Sequence, residues 1–284
     1  MSKKKKSVHD FLKMKQSGEK ITFLTAYDYP TAQFAEAAGL DMLLVGDSLG
    51  MCVYGYKGTV PVVMDQMVRH ADAVRRGAPN TFVIGDMPFM SYQSSTDKAV
   101  ENAGRFLKEA DCDAIKLEGG VRIASKIQAI VDAGIVVMGH IGLTPQSSGQ
   151  LGGHKAQGRT AEAAKLVVED ALAVEAAGAQ MILLEAVPPE LGAYITKRLK
   201  IPALSIGAGP DCDGQLLIVS DMIGQFQAFT PKFVKKYGQV AEMVTGAMKV
   251  YCEEVRAGKF PAEEHCYRML AGEDEKFFKL VGKE

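Results

Sequence analysis

The sequence carries almost no net charge and contains no long apolar run. Its 33 lysine and arginine residues nearly balance 34 aspartate and glutamate residues, which leaves a formal charge of −1. Nucleic-acid-binding domains usually carry an excess of positive charge, so we expect no nucleic-acid partner. A membrane span needs about 20 consecutive apolar residues, and a secretory signal needs an apolar core before a cleavage site. Neither pattern occurs, so we expect no membrane association and no secretion.

Cysteine is scarce, and its spacing suggests no pairing. Five cysteines occur, none of them in a CxxC motif: Cys52, Cys112, Cys212, Cys252 and Cys266. An odd number of cysteines in a chain of this length is not typical of a disulfide framework. We therefore expect a cytoplasmic protein, in a reducing environment.

Short apolar runs rich in β-branched residues alternate with helical patterns along the chain. Each run ends in small, polar or acidic residues, which is typical of buried parallel strands. The runs predict eight strands, over residues 21–28, 42–48, 82–88, 114–120, 135–141, 181–187, 203–209 and 215–219. Helices are predicted between them, over residues 30–39, 61–77, 96–110, 122–133, 160–177 and 190–199.

Eight strand and helix units in about 250 residues favour a closed (β/α)8 TIM barrel over an open doubly wound sheet. We expect one α/β domain over residues 1–284, with an N-terminal helix and a C-terminal helical extension that starts with a long helix over 231–258. Residues 1–6, with their lysine run, are expected to be a disordered basic terminus. The eighth unit stays open, because residues 214–224 fit either strand eight or a short helix.

Polar residues lie at or near the carboxyl ends of the predicted strands. They are Asp28, Asp47, Ser48, Asp86, Lys116, Glu118, His140 and Glu185. In a barrel these ends converge on one mouth, where the sites of this fold are built. Buried carboxylates need partners, and Asp47 and Asp86 offer hard oxygen ligands. We therefore expect a divalent cation at the mouth, Mg²⁺ by default with Mn²⁺ as a substitute.

Several of these residues also have a purely structural interpretation. Lys116 and Glu118 point to the same side of one strand and can pair with each other, or with charges on neighbouring strands, inside the barrel. His140 fits a core histidine that donates to a carbonyl at least as well as a metal ligand. Tyr27 can be a packed side chain whose hydroxyl group is bonded. The sequence pattern leaves both interpretations open for all four residues.

A divalent ion held by two aspartates suits chemistry at a carbon next to a carbonyl group. A 2-oxo acid can chelate the ion through its carboxylate and ketone oxygens, and the ion then stabilises the enolate formed by C–H removal. Lys116 and Ser48 are placed to hold the carboxylate of the acid. Glu185 lies on a separate strand, where apolar surroundings favour a general base by raising a carboxyl pKa.

Eight short motifs occur in a distinctive order. They are Thr25-Ala-Tyr-Asp28, Gly46-Asp-Ser-Leu-Gly-Met51, Gly85-Asp-Met-Pro-Phe89, Ile115-Lys-Leu-Glu-Gly-Gly120, Gly139-His-Ile-Gly-Leu-Thr-Pro-Gln146, Leu184-Glu-Ala-Val-Pro188, Ile206-Gly-Ala-Gly209 with Asp213-Gly-Gln215, and Phe260-Pro261 with His265. In this order the chain resembles the ketopantoate hydroxymethyltransferase family of the phosphoenolpyruvate mutase/isocitrate lyase superfamily. The resemblance runs from about residue 7 to residue 267.

The resemblance implies a Mg²⁺-dependent enzyme that transfers a hydroxymethyl group from 5,10-methylenetetrahydrofolate to 2-oxoisovalerate. The product is 2-dehydropantoate, an intermediate of pantothenate and coenzyme A synthesis. Members of the family are commonly homo-oligomers, often decamers, so the resemblance also implies a homo-oligomer.

The resemblance also assigns roles, residue by residue. Asp47 and Asp86 correspond to direct Mg²⁺ ligands at the substrate site, and Glu118 to a ligand that acts through water. Ser48 and Lys116 correspond to anchors of the keto acid, and Glu185 to the proton acceptor. The remaining two candidates, His140 and Tyr27, are expected to contact these residues instead of binding the ion or the substrate directly.

Two other functions compete with this interpretation. One is a Mg²⁺-dependent lyase or mutase that acts on 2-oxo acids in the same superfamily, which usually carries a cysteine on a mobile loop. Cys52 is not in a matching motif. The other is a barrel that binds a keto acid without catalysis. Loss of Asp47, Asp86 or Glu185 would favour that function, and all three are present.

Overall fold

The barrel consists of eight parallel strands that pair in chain order, with β8 closing on β1. The computed structural model describes residues 4–282. The strands are β1 (Ile21–Thr25), β2 (Met42–Val45), β3 (Phe82–Asp86), β4 (Ala114–Glu118), β5 (Val137–Gly142), β6 (Met181–Glu185), β7 (Ala203–Ile206) and β8 (Gly214–Leu217). The predicted (β/α)8 barrel is therefore confirmed. Most predicted runs extend past the strand ends, because their last residues turn into the loops of the mouth.

The described residues contain twelve α-helices, and helices occur between most consecutive strands. They are α1 (Val8–Ser17), α2 (Tyr29–Ala37), α3 (Leu49–Cys52), α4 (Met64–Gly77), α5 (Thr96–Ala110), α6 (Ala124–Asp132), α7 (Ser148–Leu151), α8 (Ala161–Ala176), α9 (Pro189–Arg198), α10 (Val219–Met222), α11 (Val240–Arg256) and α12 (Glu273–Val281), with 3₁₀ turns at Val121–Ile123, Pro145–Ser147 and Glu263–His265. Six of them, α2, α4, α5, α6, α8 and α9, match the helices predicted between strands. In the described residues, no helix is long and apolar enough to cross a membrane.

Capping side chains account for where the predicted helices begin. Ser95 accepts a hydrogen bond from the Lys98 amide at 3.2 Å and starts α5 at the predicted residue. Helix α4 begins at Met64 instead of residue 61. There the Val63 amide donates to the side chain of Gln66 at 3.0 Å, which starts the helix after Pro61.

The eighth unit contains both of the structures that the sequence left open. Residues Gly214–Leu217 form strand β8, and the single helical turn α10 follows directly. Residues 207–213 contain no helix, so β7 and β8 are joined by a short loop. This loop keeps the barrel closed although one covering helix is missing from the expected alternation.

The chain divides after Tyr237 into two compact units, and the single domain expected over residues 1–284 stays a prediction. The second unit starts at Gly238 and contains α11, a 3₁₀ turn and α12. Helix α11 begins at Val240, so the expectation of a helix from residue 231 is wrong. Pro231 and Gly238 flank this irregular stretch, and both residues are unfavourable inside a helix.

Two apolar cores position the strands. One fills the inside of the barrel with large side chains such as Phe23, Met42 and Met138, and the other lies between the strands and the helices. Gly85 and Gly139 face outward, where a Cβ atom would collide with Phe106 of α5 and Val174 of α8, respectively. The helices therefore pack closely against the strand positions that precede Asp86 and His140.

Ion pairs join the N-terminal segment to the amino-terminal ends of the strands, which we call the floor. Three aspartates precede β2, β4 and β8, and we call them the floor aspartates: Asp41, Asp113 and Asp213. Lys6 pairs with Asp41, Lys5 with Asp113 at 2.6 Å, and Lys15 of α1 with Asp213 at 2.7 Å. The expected disordered terminus is thus corrected at Lys5 and Lys6, while residues 1–3 lie outside the described residues.

Candidate active site

A cavity of about 860 Å³ opens at the mouth of the barrel. Seven predicted site residues line it: Asp47, Ser48, Asp86, Lys116, Glu118, His140 and Glu185. Tyr27 lies buried behind them, with its hydroxyl 2.8 Å from the Ser48 hydroxyl. Asp28 does not join the site. Its carboxylate instead caps helix α2 by accepting a hydrogen bond from the Thr31 amide at 2.8 Å.

Asp86 links three neighbouring strand ends. Its Oδ2 accepts a hydrogen bond from the Asp47 amide at 2.9 Å, and its Oδ1 lies 2.8 Å from the Lys116 ammonium. The strand register explains this pair, because Asp86 and Lys116 are direct neighbours on β3 and β4. Lys116 therefore pairs with a charge on a neighbouring strand, which is one of the two structural alternatives, and the other partner, Glu118 on its own strand, forms no ion pair with it among the described residues.

His140 lies between Lys116 and Glu118 on one side and Glu185 on the other. Its Nδ1 is 3.2 Å from Lys116 Nζ and 3.5 Å from Glu118 Oε1, and its Nε2 is 3.1 Å from Glu185 Oε2. The alternative of a core histidine bonded to a carbonyl is therefore wrong, since both ring nitrogens face charged side chains. Among the described residues, neither His140 Nε2 nor Asp86 Oδ1 has a well-aligned hydrogen bond.

Gln146 is a central residue of the site that the sequence interpretation missed. Its side-chain amide donates to Asp47 Oδ2 and to the Met87 carbonyl, both at 2.9 Å, and its backbone amide donates to Glu118 Oε2 at 3.0 Å. Tyr92 donates to its side-chain oxygen at 2.8 Å. The available signal in the sequence was a polar residue shortly after the predicted end of the fifth strand, in the last part of the motif that ends at Gln146.

Burial dominates the electrostatics of Asp47, Glu118 and Glu185, which together with Asp86 we call the four mouth carboxyl groups. Desolvation raises the pKa of Asp47 well above its usual range, and the charges of Asp86 and Glu118 raise it further. Desolvation raises the pKa of Glu118 to about 7, against the influence of Lys116. It also raises the pKa of Glu185, which the contact with His140 partly offsets.

The two basic side chains respond to the same surroundings in opposite directions. Burial lowers the pKa of Lys116, but the charges of Asp86, Glu118 and Asp47 outweigh this effect and raise it overall. Burial, followed by the charge of Lys116, lowers the pKa of His140. Lys116 is therefore charged and His140 neutral near pH 7, so four carboxyl groups face one ammonium group.

The chain conformation is fixed directly after Glu185. Ala186 has a φ of +47°, in the left-handed region that alanine rarely adopts. Its amide donates to the Ile206 carbonyl at 2.9 Å, and its carbonyl accepts from the Gln157 amide at 2.9 Å. These bonds hold the strained residue and thereby the direction in which Glu185 leaves β6.

The other side of the cavity is largely apolar. Phe226, Phe229 and Phe233 line it, and the first two rings pack edge to face at 5.5 Å. Phe229 is half exposed. Pro188 and Pro189 continue this surface after β6. The mouth therefore combines a charged half with an aromatic half.

A family model described as ketopantoate hydroxymethyltransferase matches residues 5–263. This chain belongs to the ketopantoate hydroxymethyltransferase family. It is 62% identical over 277 residues to 3-methyl-2-oxobutanoate hydroxymethyltransferase of Alkaliphilus metalliredigens, covering 98% of both chains. It is 52% identical to the enzyme of the same name from Acetivibrio thermocellus, covering 91% of this chain and 92% of that protein. The predicted family and enzyme class are thus confirmed.

Solved structures share the fold at much lower identity. One is phosphonopyruvate hydrolase in complex with oxalate and Mg²⁺, with a TM-score of 0.60 and 15% identity over 98% of this chain and 95% of that chain. Another is 2,3-dimethylmalate lyase of the PEP mutase/isocitrate lyase superfamily, with a TM-score of 0.58 and 17% identity over 97% of this chain and 99% of that chain. The family match favours a transferase over the lyase, mutase or binding-only alternatives.

Proposed function

We propose that this enzyme transfers a hydroxymethyl group from 5,10-methylenetetrahydrofolate to 2-oxoisovalerate and forms 2-dehydropantoate, a precursor of pantothenate. The observation that carries the proposal is the charged half of the mouth. There, the three buried carboxyl groups of Asp47, Asp86 and Glu118 and the partly buried Glu185 face one lysine, and Glu185 lies on a different strand from the aspartates. Such a site can hold a cation and a keto acid on one side and a base on the other.

The carboxyl groups of Asp47 and Asp86 fit a Mg²⁺ ion. Among the described residues, no group of three or more His, Cys, Asp or Glu side chains is arranged to hold a metal ion. Mg²⁺ is commonly held by only one or two carboxylates, with water and substrate as its other ligands. Asp86 Oδ1 has the Lys116 ammonium as a neighbour at 2.8 Å, and a carboxylate oxygen can accept more than one contact, so it can also serve as such a ligand. When bound, the ion supplies Lewis-acid polarisation of the 2-oxo group, which acidifies the neighbouring C–H.

Glu118 fits a supporting role better than direct ligation. Its Oε2 is occupied by the Gln146 amide and its Oε1 lies 3.5 Å from His140. We propose that it contributes negative charge and holds a water molecule next to the ion, as the resemblance implies. Its buried carboxyl group adds to the charge that favours a divalent cation at this place.

Lys116 and Ser48 are proposed to anchor the keto acid. Lys116 has three N–H donors, and two of them face Asp86 and His140, which leaves one for a substrate oxygen. Ser48 presents its hydroxyl to the cavity from the start of α3, and Tyr27 holds that hydroxyl at 2.8 Å. Tyr27 therefore acts on the substrate only through Ser48.

Glu185 is proposed to take the proton from the carbon next to the 2-oxo group. Its raised pKa makes the carboxylate a stronger base than an exposed glutamate. Water releases the methylene carbon from both folate nitrogens at the oxidation level of formaldehyde, and the two nitrogens take the two water protons. The carbanion attacks this carbon, so a C–C bond forms while the carbon–oxygen π bond opens, and the oxygen takes the proton held by Glu185 to become the product hydroxyl. The attacked carbon becomes quaternary and has no hydrogen left for a second addition.

The size of the cavity supports a second, larger substrate. A volume of about 860 Å³ is near the upper end of common ligand sites, which span about 300–1,000 Å³. A keto acid of eight heavy atoms fills only a small part of it. We propose that the aromatic half of the mouth receives the flat pterin ring of the folate.

Proton NMR in D₂O tests the proposed reaction. We expect a new hydroxymethyl signal when the protein is mixed with Mg²⁺, 2-oxoisovalerate and methylenetetrahydrofolate, and we expect EDTA to abolish it. Loss of the substrate methine signal without a hydroxymethyl signal would contradict the folate donor. Absence of both changes would contradict the reaction itself.

Self-association and cytoplasmic localisation stay proposals. We propose a homo-oligomer, a decamer by family resemblance. Helix α11 supports this, because it exposes Met243, Met248 and Tyr251 together with other large apolar side chains. Light scattering should give a mass several times 30.6 kDa, and a monomer mass would contradict the proposal.

A further inference from the structure

We propose that His140 is a positioning residue, which Lys116 holds as the Nε2–H tautomer so that its ring N–H orients the Glu185 carboxylate. The inference rests on the proposed function, since it gives Glu185 the role of proton acceptor. It adds a role for a residue that itself takes no proton from the substrate.

The contact with Lys116 decides the tautomer. Lys116 Nζ lies 3.2 Å from His140 Nδ1, and an ammonium group can only donate hydrogen bonds. The Nδ1 atom must therefore offer its lone pair. In a neutral imidazole the proton then sits on Nε2. Glu118 Oε1 would prefer a proton on Nδ1, but it lies farther away, at 3.5 Å.

The position of the other ring nitrogen, Nε2, determines which side chain this tautomer can orient. His140 Nε2 lies 3.1 Å from Glu185 Oε2, and the carboxylate can only accept. In the structure this N–H is not well aligned with Oε2. Contacts of this kind often tighten only when substrate is bound. Because the ring donates to Oε2, the other oxygen of Glu185 stays available for the substrate proton.

The surrounding residues keep the ring in place. His140 is 2% exposed, and its backbone is paired on both sides, with Glu118 on β4 and Leu183 on β6. Gly139 allows Val174 of α8 to pack against the outer face of β5. The ring therefore connects the substrate anchor Lys116 to the base Glu185 across three adjacent strands.

Two matched substitutions of His140 separate its role in orienting Glu185 from the packing of its ring. The side-chain amide of His140→Gln reaches the position of Nε2 and can still donate to Glu185. The amide of His140→Asn reaches only the position of Nδ1. We expect kcat of His140→Gln to exceed that of His140→Asn by at least about tenfold, because small displacements of a reacting group can cost about 100-fold. We expect similar keto acid affinities for both variants, measured by calorimetry with Mg²⁺ present.

A direct observation of the tautomer complements the kinetics. In the Mg²⁺-loaded wild-type protein, ¹⁵N NMR of labelled histidines, assigned by comparison with His140→Gln, should show a proton on Nε2 and none on Nδ1. A proton on Nδ1, or equal kcat for the two variants, would overturn the inference even if the wild type is fully active. Wild type that neither exchanges the substrate methine hydrogen in D₂O nor forms product would instead contradict the proposed function, and the NMR spectrum would still decide the tautomer.

Discussion

The floor and the mouth of the barrel both hold buried carboxyl groups, but these have different partners. Each floor aspartate pairs with a lysine and also accepts a hydrogen bond from a backbone amide of the neighbouring strand. Asp213, for example, accepts one from the Ala203 amide at 2.8 Å. At the mouth, four carboxyl groups share Lys116. The floor is thus neutralised by the chain itself, whereas the mouth retains negative charge for a cation and a substrate.

This contrast indicates that residues at the floor stabilise the fold, whereas residues at the mouth form the candidate site. Residues on the floor gain from their partners in the folded chain alone, so they contribute to the stability of the barrel. The mouth carboxyl groups lose hydration without gaining enough positive charge. They cost stability until something binds, which is typical of a functional site.

The largest effect is expected for Glu185→Gln at the mouth. The amide is close in size but cannot accept the substrate proton, so turnover should fall about 10²-fold to 10⁴-fold while keto acid binding stays near the wild-type value. Steady-state kinetics and calorimetry measure the two effects separately. Unchanged turnover would remove Glu185 from the role of base.

Asp113→Asn on the floor should affect stability instead of catalysis. Asp113 pairs with Lys5 and with the buried Arg75, and its neutralisation leaves the guanidinium group with only the exposed Asp111 carboxylate, 3.6 Å away, as counter-charge. Breaking a buried pair in this way costs about 3 kcal/mol, which urea unfolding can measure. If kcat of the folded variant fell as strongly as its stability, the separation of the two ends would be wrong.

Asp86→Asn should weaken Mg²⁺ binding by at least about tenfold, as other changes around metal sites do. The substitution removes charge from the oxygen that lacks a well-aligned partner. Calorimetry with Mg²⁺ measures the affinity. Asp41→Asn on the floor is the matched control, and a loss of affinity there equal to that of Asp86→Asn would contradict the account.

The smallest effect is expected for Lys5→Met. Lys5 is about one-third exposed and is the second cation on Asp113, which keeps Arg75. Partly exposed ion pairs contribute about 0–1 kcal/mol, so urea unfolding should show a loss well below that of Asp113→Asn. An equal loss would show that Lys5, and not Arg75, neutralises this aspartate.

Periodicity was sufficient to predict the barrel, because buried parallel strands and their covering helices leave repeating apolar patterns. The position of Asp47, Asp86 and Glu185 at the mouth also follows from strand ends. Gln146 was missed because its hydrogen bonds reach the loops after β2 and β3 and the end of strand β4, which no local pattern reveals. The place of α11 depends on Pro231 and Gly238, which interrupt a stretch that otherwise fits a helix.

The pairing of individual side chains could not be predicted at all. Whether Lys116 pairs with Glu118 or with Asp86 depends on the register between β3 and β4, which is a tertiary property. The same holds for His140, whose partners come from two neighbouring strands. Lys5 and Lys6 were expected to be solvated because their aspartate partners lie far away in the sequence.

We expect excess negative charge at the mouth to oppose folding until a divalent cation binds. Burial raises the pKa of Glu118 to about 7 in the folded protein, from an ordinary glutamate value of 4.5, so the folded state binds more protons between these values. Stability should therefore fall as pH rises through this window, by on the order of 3 kcal/mol from this group alone.

Urea unfolding at pH 5 and pH 8, in EDTA and in Mg²⁺, measures this directly. We expect wild type in EDTA to lose more stability between the two pH values than Glu118→Gln does, and Mg²⁺ to restore much of the wild-type loss at pH 8. Equal pH dependence of the two proteins in EDTA, with no stabilisation of wild type by Mg²⁺, would contradict the claim.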